Sequence, residues 1–127
     1  MKKLSSTDIQ SLLEEFQGKF RSTQKRISIP IIFRISSKMQ IGIQFAAIKI
    51  YEDLIIDGHH RYIASIISKT KISQIYTLKP TTIHVYPWEE IEFVDEDWDT
   101  PEKIIQLNKS DAWFNNMSFE EITKLLK

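Results

Sequence analysis

Residues 54–65 read Leu54-Ile55-Ile56-Asp57-Gly58-His59-His60-Arg61-Tyr62-Ile63-Ala64-Ser65. The stretch begins with period-free apolar residues suited to a buried strand and passes through Asp-Gly. It then continues with Tyr62, Ile63, Ile66 and Ile67 at helical spacing. A strand that stops at a glycine and opens a helix leaves the first helical amides without intrahelical acceptors, at the positive end of the helix dipole. Such a terminus is a ready place for an anion. Two of the chain's three histidines and one of its three glycines fall within this turn.

Working outward, Glu52-Asp53 makes the tip of a hairpin whose return strand is 54–56. Its outgoing strand belongs to the apolar run 41–50. Residues 27–35 alternate and are isoleucine-rich, which predicts a strand with Pro30 at an edge or bulge, followed by a turn at Ser36-Ser37-Lys38. Residues 75–78 and 81–88 read as further strands, with 91–94 continuing the second beyond Pro87. Helices bracket these strands. Ile9, Leu12, Leu13, Phe16 and Phe20 form one apolar stripe, with Ser5 and Ser6 as caps, Asp8 in the first turn and Gly18 weakening the far end. Thr100-Pro101-Glu102 opens one terminal helix. Ser118 with Glu121 is a capping box for another, with Met117 and Ile122 as its staple. The expected fold class is α+β, a small mixed β-sheet with flanking helices. Residues 1–127 are expected to form one domain, with 100–127 as a C-terminal helical extension.

Composition narrows the chemistry. There are no cysteines, which excludes disulfides, thiolate metal ligands and thiol catalysis. No apolar run approaches the roughly 20 residues of a membrane span. Met1-Lys2-Lys3 leads into a polar amphipathic segment unlike a signal peptide, so cytoplasmic residence and no membrane partner are expected. The net charge of zero hides an asymmetry. Residues 1–40 hold eight Lys/Arg against three acids, and residues 86–102 hold eight acids and no base. Such segregation favours polyanion binding on one face and repels it on the other, or else the two segments neutralise each other or are simply solvated.

The segment 55–64, centred on Asp57-Gly58-His59-His60-Arg61, resembles the signature of the ParB/sulfiredoxin superfamily, which includes partition CTPases, sulfiredoxin, free serine kinases and ParB-like nuclease and toxin domains. The resemblance covers about residues 45–70 in sequence and is topological elsewhere. It implies a ParB/sulfiredoxin-like fold whose helix N-terminus holds nucleotide phosphates. Gly58 matches the turn glycine that lets backbone approach phosphate. Arg61 matches the phosphate-directed arginine, and His60 the histidine of sulfiredoxin and kinase-type members. Asp57 matches the kinase-type acid that would hold Mg²⁺. His59 stands where sulfiredoxin has its cysteine, so sulfinic acid repair is ruled out. The partition arginine motif and a helix-turn-helix are missing. Free serine kinases also use a catalytic glutamate, for which Glu14, Glu15 and Glu52 are candidates.

The resemblance therefore implies a nucleotide-binding phosphotransferase or NTPase. Its cofactors would be Mg²⁺ and a nucleoside triphosphate, ATP foremost. Asp57, His60 and Arg61 would be catalytic; Gly58, His59, His60 and Arg61 would bind the cofactor; Asp57 would bind the metal. The alternatives are a ParB-like nuclease or toxin-type module acting on nucleic acid through the basic N-terminal segment, and a non-catalytic binding protein using the acidic segment 89–99 toward a partner. Read without the resemblance, Asp57 is a helix cap, Arg61 a salt bridge to the acidic segment, and one histidine of the adjacent pair packs while the other faces the ligand. His84 is a half-buried strand residue or an approach to the site. Asp95, Asp97 and Asp99 fail the spacing of a calcium loop. Trp88, Trp98 and Trp113 read as core or interface anchors rather than base-stacking platforms, which would need basic instead of acidic neighbours.

Overall fold

A computed structural model describes residues 4–16 and 20–127. The expectations placed on Met1, Lys2, Lys3, Gly18, Lys19 and the Phe16 side chain lie outside the described residues. Helix α1 (Ser6–Phe16) is followed by β1 (Arg26–Ser28), α2 (Ile29–Gln40), the hairpin β2 (Ile48–Tyr51) and β3 (Leu54–Asp57), and α3 (His59–Ser68). Then come β4 (Gln74–Tyr76), β5 (Glu92–Val94), α4 (Pro101–Phe114) and α5 (Phe119–Leu125). The class is α+β. Among the described residues there are two small sheets: a mixed one in the order β3-β2-β4, and a parallel pair of β1 with β5. No helix among the described residues is long and apolar enough to cross a membrane.

Local chemistry explains the parts read correctly. Ser5 caps α1, its hydroxyl accepting from the Asp8 amide at 3.2 Å while Asp8 accepts from the Ser5 amide at 2.9 Å. Glu52 takes a positive φ of 52° at the hairpin tip. Thr100 accepts from the Lys103 amide, and Ser118 with Glu121 completes the reciprocal capping box. Met117 packs in a small cluster with Ile43, Ala112 and Ile122.

The largest correction falls on residues 27–38. The expected strand 27–35 and turn 36–38 are instead three residues of strand and a twelve-residue helix. Pro30 sits in the first turn of that helix, where a missing N–H costs nothing and its fixed φ is already helical. Of the buried residues Ile29, Ile32, Ser36, Lys38 and Met39, all but Lys38 follow spacings of three, four and three. The intervening isoleucines disguised this helical period as alternation. The expected strand 41–50 shrinks to β2, because α2 ends at Ile41 and Gly42 turns the chain at φ 93°. Residues 81–87 are irregular apart from a bridge between Tyr86 and Ser22, and Trp88–Glu90 form a 3-10 turn; Pro80 and Pro87 bracket a run with no longer strand partner.

The core gathers Ile9 and Leu13 of α1, Ile27, Ile29 and Ile32, Ile48 and Ile55, and Ile63 of α3. All of these are 2% exposed or less, and each such side chain stabilises the fold by about 1.5–3 kcal/mol. Helices α2 and α3 pack against one another, so the core fixes the orientation of the strand–glycine–helix turn. Trp88 belongs to this core, stacked on Tyr62 at 6.1 Å with its indole N–H donating to the Phe20 carbonyl.

Candidate anion site at the start of helix α3

The turn at Gly58 has the geometry that positions a ligand against backbone. Gly58 is left-handed at φ 97°, ψ 29°, and no side chain caps the helix it opens. The first helical hydrogen bond runs from the Tyr62 amide to the Gly58 carbonyl at 2.9 Å. The amides of His59, His60 and Arg61 therefore precede the ladder, uncapped. A Cβ on Gly58 would stand 2.7 Å from Ile48 Cγ2 and 2.8 Å from Arg61 Nη2. The guanidinium thus lies over the glycine in the space that a side chain would fill.

Arg61 is one-quarter exposed. Its Nη2 donates to the Ala47 carbonyl at 3.3 Å and lies 3.9 Å from Asp57 Oδ2, a contact too long to saturate either group. Its Nε is buried with no partner. The salt bridge to the acidic segment, one of the expectations for Arg61, is not what the structure forms. Asp57 is the last residue of β3, with its side chain 62% exposed at the mouth of the site.

The two histidines use their ring nitrogens to tie down the chain around residues 23–28. The Thr23 amide donates to His59 Nε2 at 3.1 Å, and the Ser28 amide donates to His60 Nε2 at 3.0 Å. A ring nitrogen that accepts an N–H carries no proton, so each neutral ring holds its proton on Nδ1. His60 also meets the Trp98 ring edge-on at 5.5 Å. Burial is the main cause that lowers both pKa values to about 4. The next cause for His59 is its neighbour His60, whereas for His60 Asp99 partly opposes the shift. Both rings are consequently neutral at pH 7. His60 offers an Nδ1–H donor there, and a general-acid role would first require a protonation that burial opposes.

Asp57, Gly58, His59, His60 and Arg61 all line one cleft of about 840 Å³, within the range of small-molecule sites. Its other walls are α2 and α4. These walls carry no local mark in the sequence, because residues 29–40 fit a strand period as well as a helical one and no motif shows α4 facing a site. Arg34 and Lys38 of α2 line the cleft but are already paired. Arg34 holds Asp97 and, at 2.9 Å, Asp99, while Lys38 holds Asp111 at 2.6 Å. Arg34 keeps the Asp97 carboxyl below its ordinary pKa. Arg21 pairs with Asp53, and Lys25 and Arg26 with Glu92. Of the two readings of the charge asymmetry, mutual neutralisation is the one these pairs support. Glu14, Glu15, Glu52 and His84 are exposed and do not line the cleft. Scans of the chain against protein-family models, curated proteins and solved structures found no match.

Proposed function

We propose that this chain is a ParB/sulfiredoxin-like domain that binds a nucleotide through its phosphates at the start of α3, and that it acts as a phosphotransferase or NTPase. The observation that carries this reading is the coincidence, in one cleft, of three uncapped amides, a glycine whose missing side chain makes room, and an arginine with a buried, unpartnered Nε. Leaving a charged donor unsatisfied is costly unless a ligand meets it. A phosphate does so with several acceptor oxygens and with charge of the right sign.

The residues present fit the expected nucleotide and Mg²⁺. The Gly58 turn and the amides of His59, His60 and Arg61 would receive phosphate oxygens, and Arg61 would neutralise their charge. Asp57, open at the mouth, would hold the metal, because Mg²⁺ commonly takes one carboxylate and completes its shell with phosphates and water. Bound magnesium supplies further neutralisation of the phosphate charge. His60 donates from Nδ1 while its Nε2 keeps the backbone at Ser28 in place. Catalysis would rest on positioning and on fixed positive charge more than on proton transfer.

Binding without turnover is the second reading. Its support is that Glu14, Glu15 and Glu52 are absent from the cleft and that both histidines are neutral. A nuclease is less favoured, since much of the basic N-terminal segment is neutralised by ion pairs. Thermal-shift assays against ATP, CTP and duplex DNA, with and without Mg²⁺, separate the three. A nucleotide-specific rise in melting temperature accompanied by phosphate release supports the enzyme; the same rise without release supports the binder. Salt-sensitive DNA binding alone would replace both. Arg61→Ala is expected to abolish the nucleotide shift while the protein still folds.

A further inference from the structure

We infer that the wall of the cleft formed by α4 receives a flat apolar ring carried by the phosphate-bearing ligand, so that the cleft is built for a two-part molecule. The inference rests on the anion site proposed above. Helix α4 turns Lys103, Leu107, Ser110 and Phe114 into the cleft, at spacings of four, three and four that place them on one face. That face does not serve the core, since Ala112 is the buried residue of α4. The helix is instead fastened at its ends. Asp99, just ahead of it, is held by Arg34; Asp111 is held by Lys38; and Asn115 exchanges hydrogen bonds with both backbone groups of Gln44.

Charge and exposure divide the cleft in two. At the C-terminal end of α4, Lys38 is neutralised by Asp111, and Lys109 turns to the Phe119 ring at 5.6 Å. Lys103 lies about 15 Å away along the helix axis. That end therefore offers phosphate one cation, Lys109, which lines the cleft and is engaged with an aromatic face. It offers Phe114, 44% exposed, and Trp113, 83% exposed, which line the cleft together with Ile35 and Phe45. Exposed aromatic faces in a concave site are platforms for a planar ring. The two ends are also within reach of one ligand. Ala47 anchors Arg61 and Gln44 anchors Asn115, so at most about 11 Å of extended chain separates the anchors.

The test compares ATP with inorganic tripolyphosphate, which has the same charged chain and no ring, by titration calorimetry with Mg²⁺. Wild type is expected to bind ATP at least tenfold more tightly. In a W98F background, which removes the tryptophan ring beside His60, ATP should quench tryptophan fluorescence and tripolyphosphate should not. The double variant W113S/F114S should lose that preference and keep its tripolyphosphate affinity within twofold, whereas R61Q should weaken both ligands together. Equal affinity of wild type for the two ligands, or a preference that survives W113S/F114S, overturns the inference and leaves the anion site standing. Failure of wild type to bind tripolyphosphate overturns the anion site itself. The quenching comparison in the W98F background decides the matter should the double variant misfold.

Discussion

Replacing Gly58 by alanine tests the geometry of the turn from two sides. The residue has φ 97°, where an L-residue pays about 1–2 kcal/mol relative to glycine. The added Cβ would also stand 2.7 Å from Ile48 Cγ2 and 2.8 Å from Arg61 Nη2. The guanidinium is the end of a flexible chain and can swing away cheaply. Ile48 is fully buried, so its displacement carries an overpacking cost of about 1–3 kcal/mol. The total is about 2–5 kcal/mol. Gly42 is the matched control, with φ 93° and no atom within 4 Å of an added Cβ, so Gly42→Ala should show the backbone cost alone. At about 3–6 °C per kcal/mol for a chain of this length, Gly42→Ala should melt about 5 °C below wild type and Gly58→Ala about 12 °C below. Calorimetry measures both. Gly58→Ala should in addition lose phosphate-ligand binding, because the arginine is driven from its perch, while Gly42→Ala keeps it. Equal melting temperatures for the two variants, or a Gly58→Ala protein that binds ligand like wild type, would refute the reasoning.

Three further outcomes follow from the same structure. His59 and His60 have folded pKa values near 4 against about 6.5 when unfolded. The unfolded chain therefore takes up protons first as pH falls, and stability present above pH 6.5 is lost on the way toward pH 4. Urea unfolding at pH 7 and pH 5 should differ by about 2 kcal/mol per ring, and a flat profile for wild type over this range would contradict the buried, neutral assignment. Lys38→Met should cost about 3 kcal/mol by leaving Asp111 unpaired, with most of the loss recovered in K38M/D111L; chemical denaturation of both variants reads this, and no recovery in the double variant would place the cost elsewhere. Ile32→Ala should destabilise by about 2–5 kcal/mol and Ile31→Ala by clearly less, since Ile32 is fully buried and Ile31 borders the cleft. The reverse order would point to a strand at 29–33 in place of α2.

How much was legible in the sequence depended on whether the signal was local. The hairpin tip, the helix opened by Gly58, the Thr100 cap and the Ser118–Glu121 box are each set by a few adjacent residues, and they appear where those residues stand. Helix α2 is ambiguous in sequence because Ile27, Ile29, Ile31, Phe33 and Ile35 satisfy a period of two as well as Ile29, Ile32, Ser36 and Met39 satisfy a helical one. Only tertiary packing chooses between them. Ser28 illustrates the same point. It sits where a cap would be read, yet its hydroxyl donates to the Glu96 carbonyl at 2.8 Å and leaves the helix uncapped. At the site, the local motif named one wall of the cleft. The other walls are joined through Lys38 to Asp111 and Gln44 to Asn115, pairs separated by more than seventy residues, and no motif spans such a distance. The roles of the histidines were likewise invisible, because their partners Thr23 and Ser28 approach from another part of the fold.

The most direct measurement is a ¹⁵N–¹H spectrum followed during addition of tripolyphosphate. Binding at the start of α3 predicts that the amides of His59, His60 and Arg61 shift most, together with the Arg61 Nε–H resonance, and that the shifts vanish in R61A. Saturable binding that leaves those amides unmoved, or no binding at millimolar ligand, would contradict it.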